Sequence, residues 1–427
     1  MRPASFYHMN NPNRLHRITA ENVSHEIVNL KQVVFEVTDE CNLSCKYCLY
    51  GGLYGGFDHQ QINYLQFNDV KTVLDYLVEI WRTHSSLAEH SVTYIGFYGG
   101  EPLLNFGLIQ RVVDYVEKMD VPRSFRFSMT SNCLLLDRYM DYIVDKNFHL
   151  LCSLDGNKAA NGYRVRRDGS SSFDKVFSNI KRLKEKYPEY FEQNVSFNSV
   201  LHNLNSVQET SGFLKAEFGK TPSFSELSPV GVRPEKVAEF RKTFQNLNES
   251  IHKAKDYDNL RLQLGAFNPE TQSVMRYLEA YEENTYYSYW ELFEDNDSSQ
   301  EIMTGTCVPF GRKMFVTVDG KLLPCERIPH QFSLGTVSNG KVTLDYEAIA
   351  KKFNSLLDKM ERQCVACSRN RFCAQCIYQI GSIDQTCPHC ESYMTKDQFV
   401  RFRNSIYQYL YEYPETYELI MKKIKAE

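Results

Sequence analysis

From residue 33 to about residue 230 the chain alternates short runs of β-branched and aromatic residues with longer amphipathic runs. That alternation is the pattern of a parallel sheet with crossover helices. Strands are expected at Val33 to Thr38, Val92 to Tyr98, Phe125 to Thr130, His149 to Leu154, Val195 to Leu201 and Phe224 to Pro229. The intervening helices are expected at Asn68 to Thr83, Leu108 to Met119, Leu136 to Lys146, Phe173 to Lys186 and Ser206 to Phe218. Six strand-helix units fit an open or partial barrel better than a closed one of eight, and in either case ligands gather at the carboxyl ends of the strands.

The rest of the chain has a different texture. Residues 1–30 form an N-terminal segment, and residues 231–305 read as a polar helical bridge whose aromatic residues Tyr286, Tyr287, Tyr289 and Trp290 are expected to pack rather than to line a substrate box. Residues 306–395 contain a hairpin signal (Met314 to Val318, Asp319-Gly320, Lys321 to Leu323) and a cysteine-rich stretch, and residues 396–427 end in an amphipathic helix around Gln398 to Tyr411.

With 42% hydrophobic residues in 427, the chain can bury a sizeable core. Lys and Arg total 49 against 53 Asp and Glu, so no whole-chain attraction to nucleic acid or anionic lipid is expected, and the run Arg164, Arg166, Arg167 reads as a solvated face. No secretory h-region or membrane-length apolar run is visible, so a cytoplasmic location is expected. In that compartment thirteen cysteines are not a disulfide framework. Cys133 and Cys152 lie in or beside apolar runs and are expected as packed thiols; the other eleven fall into two groups.

The first group, Cys41-Asn-Leu-Ser-Cys45-Lys-Tyr-Cys48, follows the first strand directly. Three thiolates can hold three irons of a cubic 4Fe-4S cluster, whereas a structural zinc site wants a fourth ligand, and none is near in sequence. The fourth iron would then be open to chelation by an amino acid. This spacing, with aromatic Tyr47 before the last cysteine, resembles the defining motif of the radical S-adenosylmethionine (radical SAM) superfamily. Gly99-Gly100-Glu101-Pro102 closes the second strand where family members place a Gly-Gly-Glu-Pro segment against the methionyl amino group. The glycines allow close backbone approach and the carboxylate can accept hydrogen bonds. Thr130-Ser131-Asn132 stands where the family has Thr-Asn-Gly, with a Ser inserted and no Gly. The resemblance further implies that Tyr47 is near the cofactor and that Ser153, in Ser153-Leu154-Asp155-Gly156, and Arg164 contact its carboxylate or ribose. A guanidinium offers paired donors suited to a carboxylate; the plain alternative for Arg164 is a loop ion pair.

The second group comprises Cys307, Cys325 within Gly320-Lys-Leu-Leu-Pro-Cys325, Cys364-Val-Ala-Cys367, Cys373-Ala-Gln-Cys376 and Cys387-Pro-His-Cys390. It resembles the SPASM domain, which carries auxiliary 4Fe-4S clusters in peptide-modifying and sulfatase-maturing radical enzymes. The departure is at Cys373 to Cys376, where two residues intervene instead of three. The resemblance implies one auxiliary cluster on Cys307, Cys325 and Cys376, and another on Cys364, Cys367, Cys373 and either Cys387 or Cys390, with Cys387 favoured. Zinc is the alternative occupant of paired C-x2-C units, and His389 is expected as a solvated loop residue.

What the resemblance implies for the whole is an α/β chain with a partial (β/α)6 radical SAM barrel at residues 31–230 and a C-terminal SPASM region. It implies reductive cleavage of S-adenosylmethionine to a 5′-deoxyadenosyl radical that oxidises or crosslinks a side chain of a ribosomally made peptide, with electrons from a donor such as flavodoxin or ferredoxin. The 40 residues before Cys41 are too few for a winged peptide-docking domain. Leader recognition is therefore expected from a separate leader-binding protein, from residues 1–30, from the bridge or from a strand edge. The competing readings are formylglycine formation in a sulfatase, with Glu326 after Cys325 as the base, and a non-catalytic iron-sulfur or zinc scaffold, which would need neither Glu101 nor Arg164. Anaerobically reconstituted protein should carry about twelve irons per chain, as three 4Fe-4S clusters require; stoichiometric zinc with about four irons would remove the auxiliary clusters.

Overall fold

A computed structural model describes residues 17–55, 62–84, 92–281 and 304–421. Six parallel strands are in place: β1 (Gln32–Thr38), β2 (Val92–Gly99), β3 (Ser124–Ser131), β4 (His149–Ser153), β5 (Val195–Leu201) and β6 (Ser223–Glu226). Helices Phe67–Thr83, Phe106–Val116, Leu136–Asp145, Phe173–Lys186 and Val207–Phe218 connect them, each burying an apolar stripe. The last shows why its ends fall where they do. Ser206 caps it by accepting from Glu209 N, and Gly219 stops it in the left-handed conformation at φ 75°.

The expected hairpin exists but is shorter on its first arm. β7 (Met314–Val316) runs parallel to β1, and β8 (Lys321–Leu323) returns antiparallel. Thr317 leaves the strand because its hydroxyl accepts from Lys321 N at 2.9 Å, while Gly320 takes φ 79° to close the turn. Two further strands unseen in the sequence, β9 (Gly335–Ser338) and β10 (Lys341–Leu344), continue the sheet in the order β10-β9-β8-β7-β1-β2-β3-β4-β5-β6.

The chain divides into two compact units. The one that holds the sheet comprises residues 20–260 and 308–349. The other comprises residues 1–19, 261–307 and 350–427. Its core joins Val274, Tyr277 and Leu278 to Ile406, Tyr409 and Ile420. Within it, Asn354 receives a hydrogen bond from Ile18 N and returns one to Ile18 O, and Arg17 pairs with Asp358 at 2.6 Å. The C-terminal helix Lys396–Glu412 begins at a capping box of Thr395 and Gln398. The bridge is helical over its described part, including Val237–Thr243, Leu247–His252, Tyr257–Leu264 and Pro269–Tyr281. Tyr286, Tyr287, Tyr289 and Trp290 lie outside the described residues. Among the described residues no helix is long and apolar enough to cross a membrane.

At two glycines the physics differs in sign. Gly99 has φ 137°, and a Cβ there would sit 2.1 Å from Thr38 O, whereas a Cβ at Gly107, in helix Phe106–Val116, would meet nothing within 4 Å. Gly99→Ala should destabilise the protein by at least about 2 kcal/mol in chemical denaturation. Gly107→Ala should stabilise it by about 0.5–1 kcal/mol.

Candidate active site

The cysteine loop leaves the carboxyl end of β1 and is fixed on both flanks. Gly100 N donates to Thr38 O at 2.9 Å and Glu101 N to Glu40 O at 2.8 Å; opposite, Ser44 N donates to Val165 O at 2.8 Å and Lys46 N to Tyr163 O at 3.1 Å. Cys41, Cys45 and Cys48 are thereby held half-buried on one loop. Burial pushes all three thiols up, Cys45 to about 12 against the pull of Arg164, and Cys41 is raised further by Glu101, Cys45 and Cys48. The thiols thus sense one another, and their thiolates need a bound cation to be stable. Among the described residues no three His, Cys, Asp or Glu side chains converge as a single metal ion would require. Three thiols on one loop could hold three irons of a multinuclear cluster, or a single ion that takes its fourth ligand from elsewhere.

Glu101 closes β2 and is 1% exposed. Its Oε1 accepts from Leu103 N at 3.1 Å and Ser131 Oγ at 2.8 Å, and Oε2 accepts from Asn132 N at 2.8 Å. Burial pushes its carboxyl up to about 7 although these hydrogen bonds and Arg164 pull it down. Ser131 and Asn132 therefore act on Glu101, and Asn132 Nδ2 also reaches Asn42 Oδ1 at 2.8 Å and Cys41 Sγ at 3.8 Å. Pro102 begins a 3-10 turn behind Glu101, as its fixed φ favours.

On the other flank, Arg164 is not part of a solvated face. It is buried and its Nε donates to Asp155 Oδ2 at 3.1 Å, while Arg167 is exposed and donates through Nε to Cys41 O at 2.7 Å. Asp155 is fully buried, just past β4, and also accepts from the Tyr47 hydroxyl. Burial would raise the Asp155 carboxyl, but Arg164 and His202 hold it below the usual range. Tyr47 is packed against His202, with ring centroids 5.5 Å apart. Ser153, at the end of β4, is half-buried. Cys133 and Cys152 are buried neighbours, as packed thiols should be.

Sequence reasoning missed Glu36. It lies in register with Tyr98 on the neighbouring strand, is 1% exposed, and accepts from Val318 N through Oε2 at 2.9 Å. Burial pushes its carboxyl up, with Tyr50 and His330 opposing. The signal was present in the sequence: one carboxylate inside the apolar strand Gln-Val-Val-Phe-Glu-Val-Thr. Glu326, half-buried beside Cys325, is paired with Lys313 at 3.0 Å. Burial raises it, but the ammonium prevails and holds it below the ordinary glutamate value, which favours a standing negative charge over strong basicity.

In the other unit, Cys364, Cys373, Cys390 and Cys367 lie within electrostatic reach of one another, and burial pushes Cys364 up to about 12. The residues after Cys390 fold back so that Met394 N donates to Cys367 Sγ at 3.3 Å and Ser368 N to Met394 O at 2.9 Å. Cys390 lies in this group, while Cys387 is exposed, as is His389. Cys376 is raised by burial and then by Cys307 nearby.

Glu101 gives this site a pH signature. Its folded-state value of about 7 lies above the ordinary 4.5, so its stabilising contribution is complete below about pH 4.5 and is lost as pH rises through 7. Cofactor-free protein should lose about 3 kcal/mol relative to Glu101→Gln across that window in denaturant titrations.

A profile of the Radical SAM superfamily matches residues 35–214. The radical SAM cyclopropyl synthase TigE of Paramaledivibacter caminithermalis is 24% identical over 229 residues, 53% of this chain and 46% of that protein. A cysteine-type anaerobic sulfatase-maturating enzyme of Clostridium novyi is 25% identical over 166 residues, 38% of this chain and 42% of that one. The chain thus matches about half the length of these curated relatives. Among solved structures, anSMEcpe with bound AdoMet and a peptide aligns over 92% of this chain and 99% of its own, at TM-score 0.58 and 16% identity. The chain therefore has the radical SAM superfamily fold, followed by a C-terminal region with clustered cysteines.

Proposed function

We propose that this chain is a radical SAM enzyme that oxidises a side chain of a peptide or protein substrate. The observation that carries the reading is that a three-thiol loop, a buried carboxyl and a buried guanidinium all follow the carboxyl ends of neighbouring strands, β1, β2 and β4. Cys41, Cys45 and Cys48 would hold one 4Fe-4S cluster. When bound, that cluster and S-adenosylmethionine together supply hydrogen-atom abstraction from an unactivated carbon. Glu101 offers a carboxylate to the methionyl amino group, and its burial strengthens that contact. Arg164 has Nε committed to Asp155, and among the described residues Nη1 and Nη2 make no hydrogen bond to protein, so the fork is available to the cofactor carboxylate. Tyr47 supports this side of the site from beneath, with Ser153 at the end of β4 as a further cofactor contact.

The C-terminal cysteines are read as auxiliary 4Fe-4S ligands: Cys364, Cys367, Cys373 and Cys390 for one cluster, and Cys307 and Cys376 among those of another, with Cys387 as the remaining thiol. A non-catalytic scaffold would have no use for the buried Glu101 and Arg164. Between the finer alternatives, formylglycine formation has more support than peptide crosslinking, because the likeness to anSMEcpe runs along nearly the whole chain whereas that to TigE covers 53% of it. In that reading Glu326 would receive the substrate proton, as a weak base whose pairing with Lys313 must loosen as the proton arrives. An external electron donor is needed in either case.

Replacing Cys41, Cys45 and Cys48 by Ala should abolish 5′-deoxyadenosine formation under dithionite, whereas a folded Cys364→Ala, Cys367→Ala variant should retain some while losing product. Equal product from the second variant and wild type would end the auxiliary-cluster role. Glu101→Ala and Arg164→Ala should each weaken S-adenosylmethionine binding by about 10–100-fold with iron content unchanged. Incubation with a Cys-containing sulfatase peptide, read by mass spectrometry for an aldehyde, separates the two finer readings.

A further inference from the structure

Asp155 makes more contacts than one ion pair requires. Its Oδ2 accepts from the Tyr47 hydroxyl and from Arg164 Nε at 3.1 Å, and His202 Nε2 lies 3.5 Å away. Its Oδ1 accepts from Val200 N at 2.9 Å, at the end of β5. The residue's backbone is fixed as well: its carbonyl accepts from Asn205 Nδ2 and Thr210 Oγ1, both at 3.0 Å, and its N–H donates to Asn161 Oδ1 at 3.3 Å. His202 Nδ1 accepts from Leu204 N at 3.2 Å, which leaves the Nε2–H turned toward the carboxylate. Asp155 and His202 are both fully buried.

Two of these partners belong to different parts of the active site. Tyr47 stands between Cys45 and Cys48, so its hydroxyl anchors the cysteine loop. Arg164 Nη1 and Nη2 make no hydrogen bond to protein among the described residues, and the guanidinium carbon lies 5.7 Å from the centre of the Tyr47 ring. One carboxylate therefore sets both the tilt of the loop that carries the thiols and the direction of the donor fork. An ordinary stabilising ion pair would need only the arginine.

We propose that Asp155 is a positioning residue that aligns Arg164 with the cysteine loop, so that the cofactor carboxylate and the cluster are presented to each other in one geometry. The inference rests on the reading that Arg164 binds that carboxylate. Asn at position 155 keeps the shape and the contact with Val200 N. It places an amide donor, or an uncharged oxygen, against Arg164 Nε and the Tyr47 hydroxyl, and the fork loses its registration.

The test measures equilibrium binding of S-adenosylmethionine to the reconstituted full chain without reductant, together with iron per chain and Tm, for Asp155→Asn, Tyr47→Phe, Arg164→Ala and the Asp155→Asn, Arg164→Ala double variant. Asp155→Asn should raise Kd at least tenfold and Tyr47→Phe several-fold, both at wild-type iron content, and the double variant should bind no worse than Arg164→Ala alone. A folded, iron-loaded Asp155→Asn with wild-type Kd and a lowered Tm would show a structural role only and overturn the proposal. If Asp155→Asn does not fold, an unchanged Kd in Tyr47→Phe overturns it. If Arg164→Ala itself binds normally, the reading of Arg164 fails first, and the positioning proposal falls with it.

Discussion

Thr38 and Glu40 meet Gly99 and Gly100 backbone to backbone, so closely that a Cβ at either glycine would lie 2.1–2.2 Å from a carbonyl oxygen. No side chain fits there, and from that contact the site takes its shape. The two hydrogen bonds that cross it bind the start of the cysteine loop to the end of β2. The next residue, Glu101, is turned beneath the loop, where Ser131 and Asn132 hold it from β3. The thiols, the carboxyl and the third strand thus inherit their relative positions from main-chain packing, which flexes less than side chains do.

The second feature of the site is concentrated buried charge. Asp155 and Arg164 form an ion pair that leaves one carboxylate oxygen to a main-chain N–H, and removing one partner of such a pair typically costs about 3–5 kcal/mol because the other is stranded. Glu36 and Glu101 instead respond to burial by shifting upward. Glu326 keeps its charge because Lys313 is beside it. A chain under selection for stability alone would gain by replacing such groups with apolar ones. They lie at the carboxyl ends of the central strands and around β1, where a functional site is expected in such a fold.

Much of the core was legible because its signals are local. The strand Val195–Leu201 and the helix Phe173–Lys186 fall where hydrophobic periodicity puts them, and each of the other core strands and helices moves by only a few residues at its ends. The cysteine triplet and Gly-Gly-Glu-Pro were readable as chemistry because three thiols and two adjacent glycines are uncommon choices for a turn. β9 and β10 were not legible. They are four-residue strands in which, apart from the buried Val337, the side chains are half-exposed or exposed, and they are specified by pairing across the sheet. Arg164 looked like part of a basic surface run because its partner, Asp155, lies nine residues away and is brought beside it only by the turn after β4. The choice between Cys387 and Cys390 likewise depends on how residues 387–394 fold back, which spacing does not determine.

The central claim is that the cluster on Cys41, Cys45 and Cys48 binds S-adenosylmethionine directly. Electron paramagnetic resonance of the reduced, reconstituted protein, recorded with and without that cofactor, addresses it most directly. The account predicts that one 4Fe-4S signal changes on addition, and that in Arg164→Ala the signal persists but needs more cofactor to change. Signals that stay the same at saturating cofactor would contradict it.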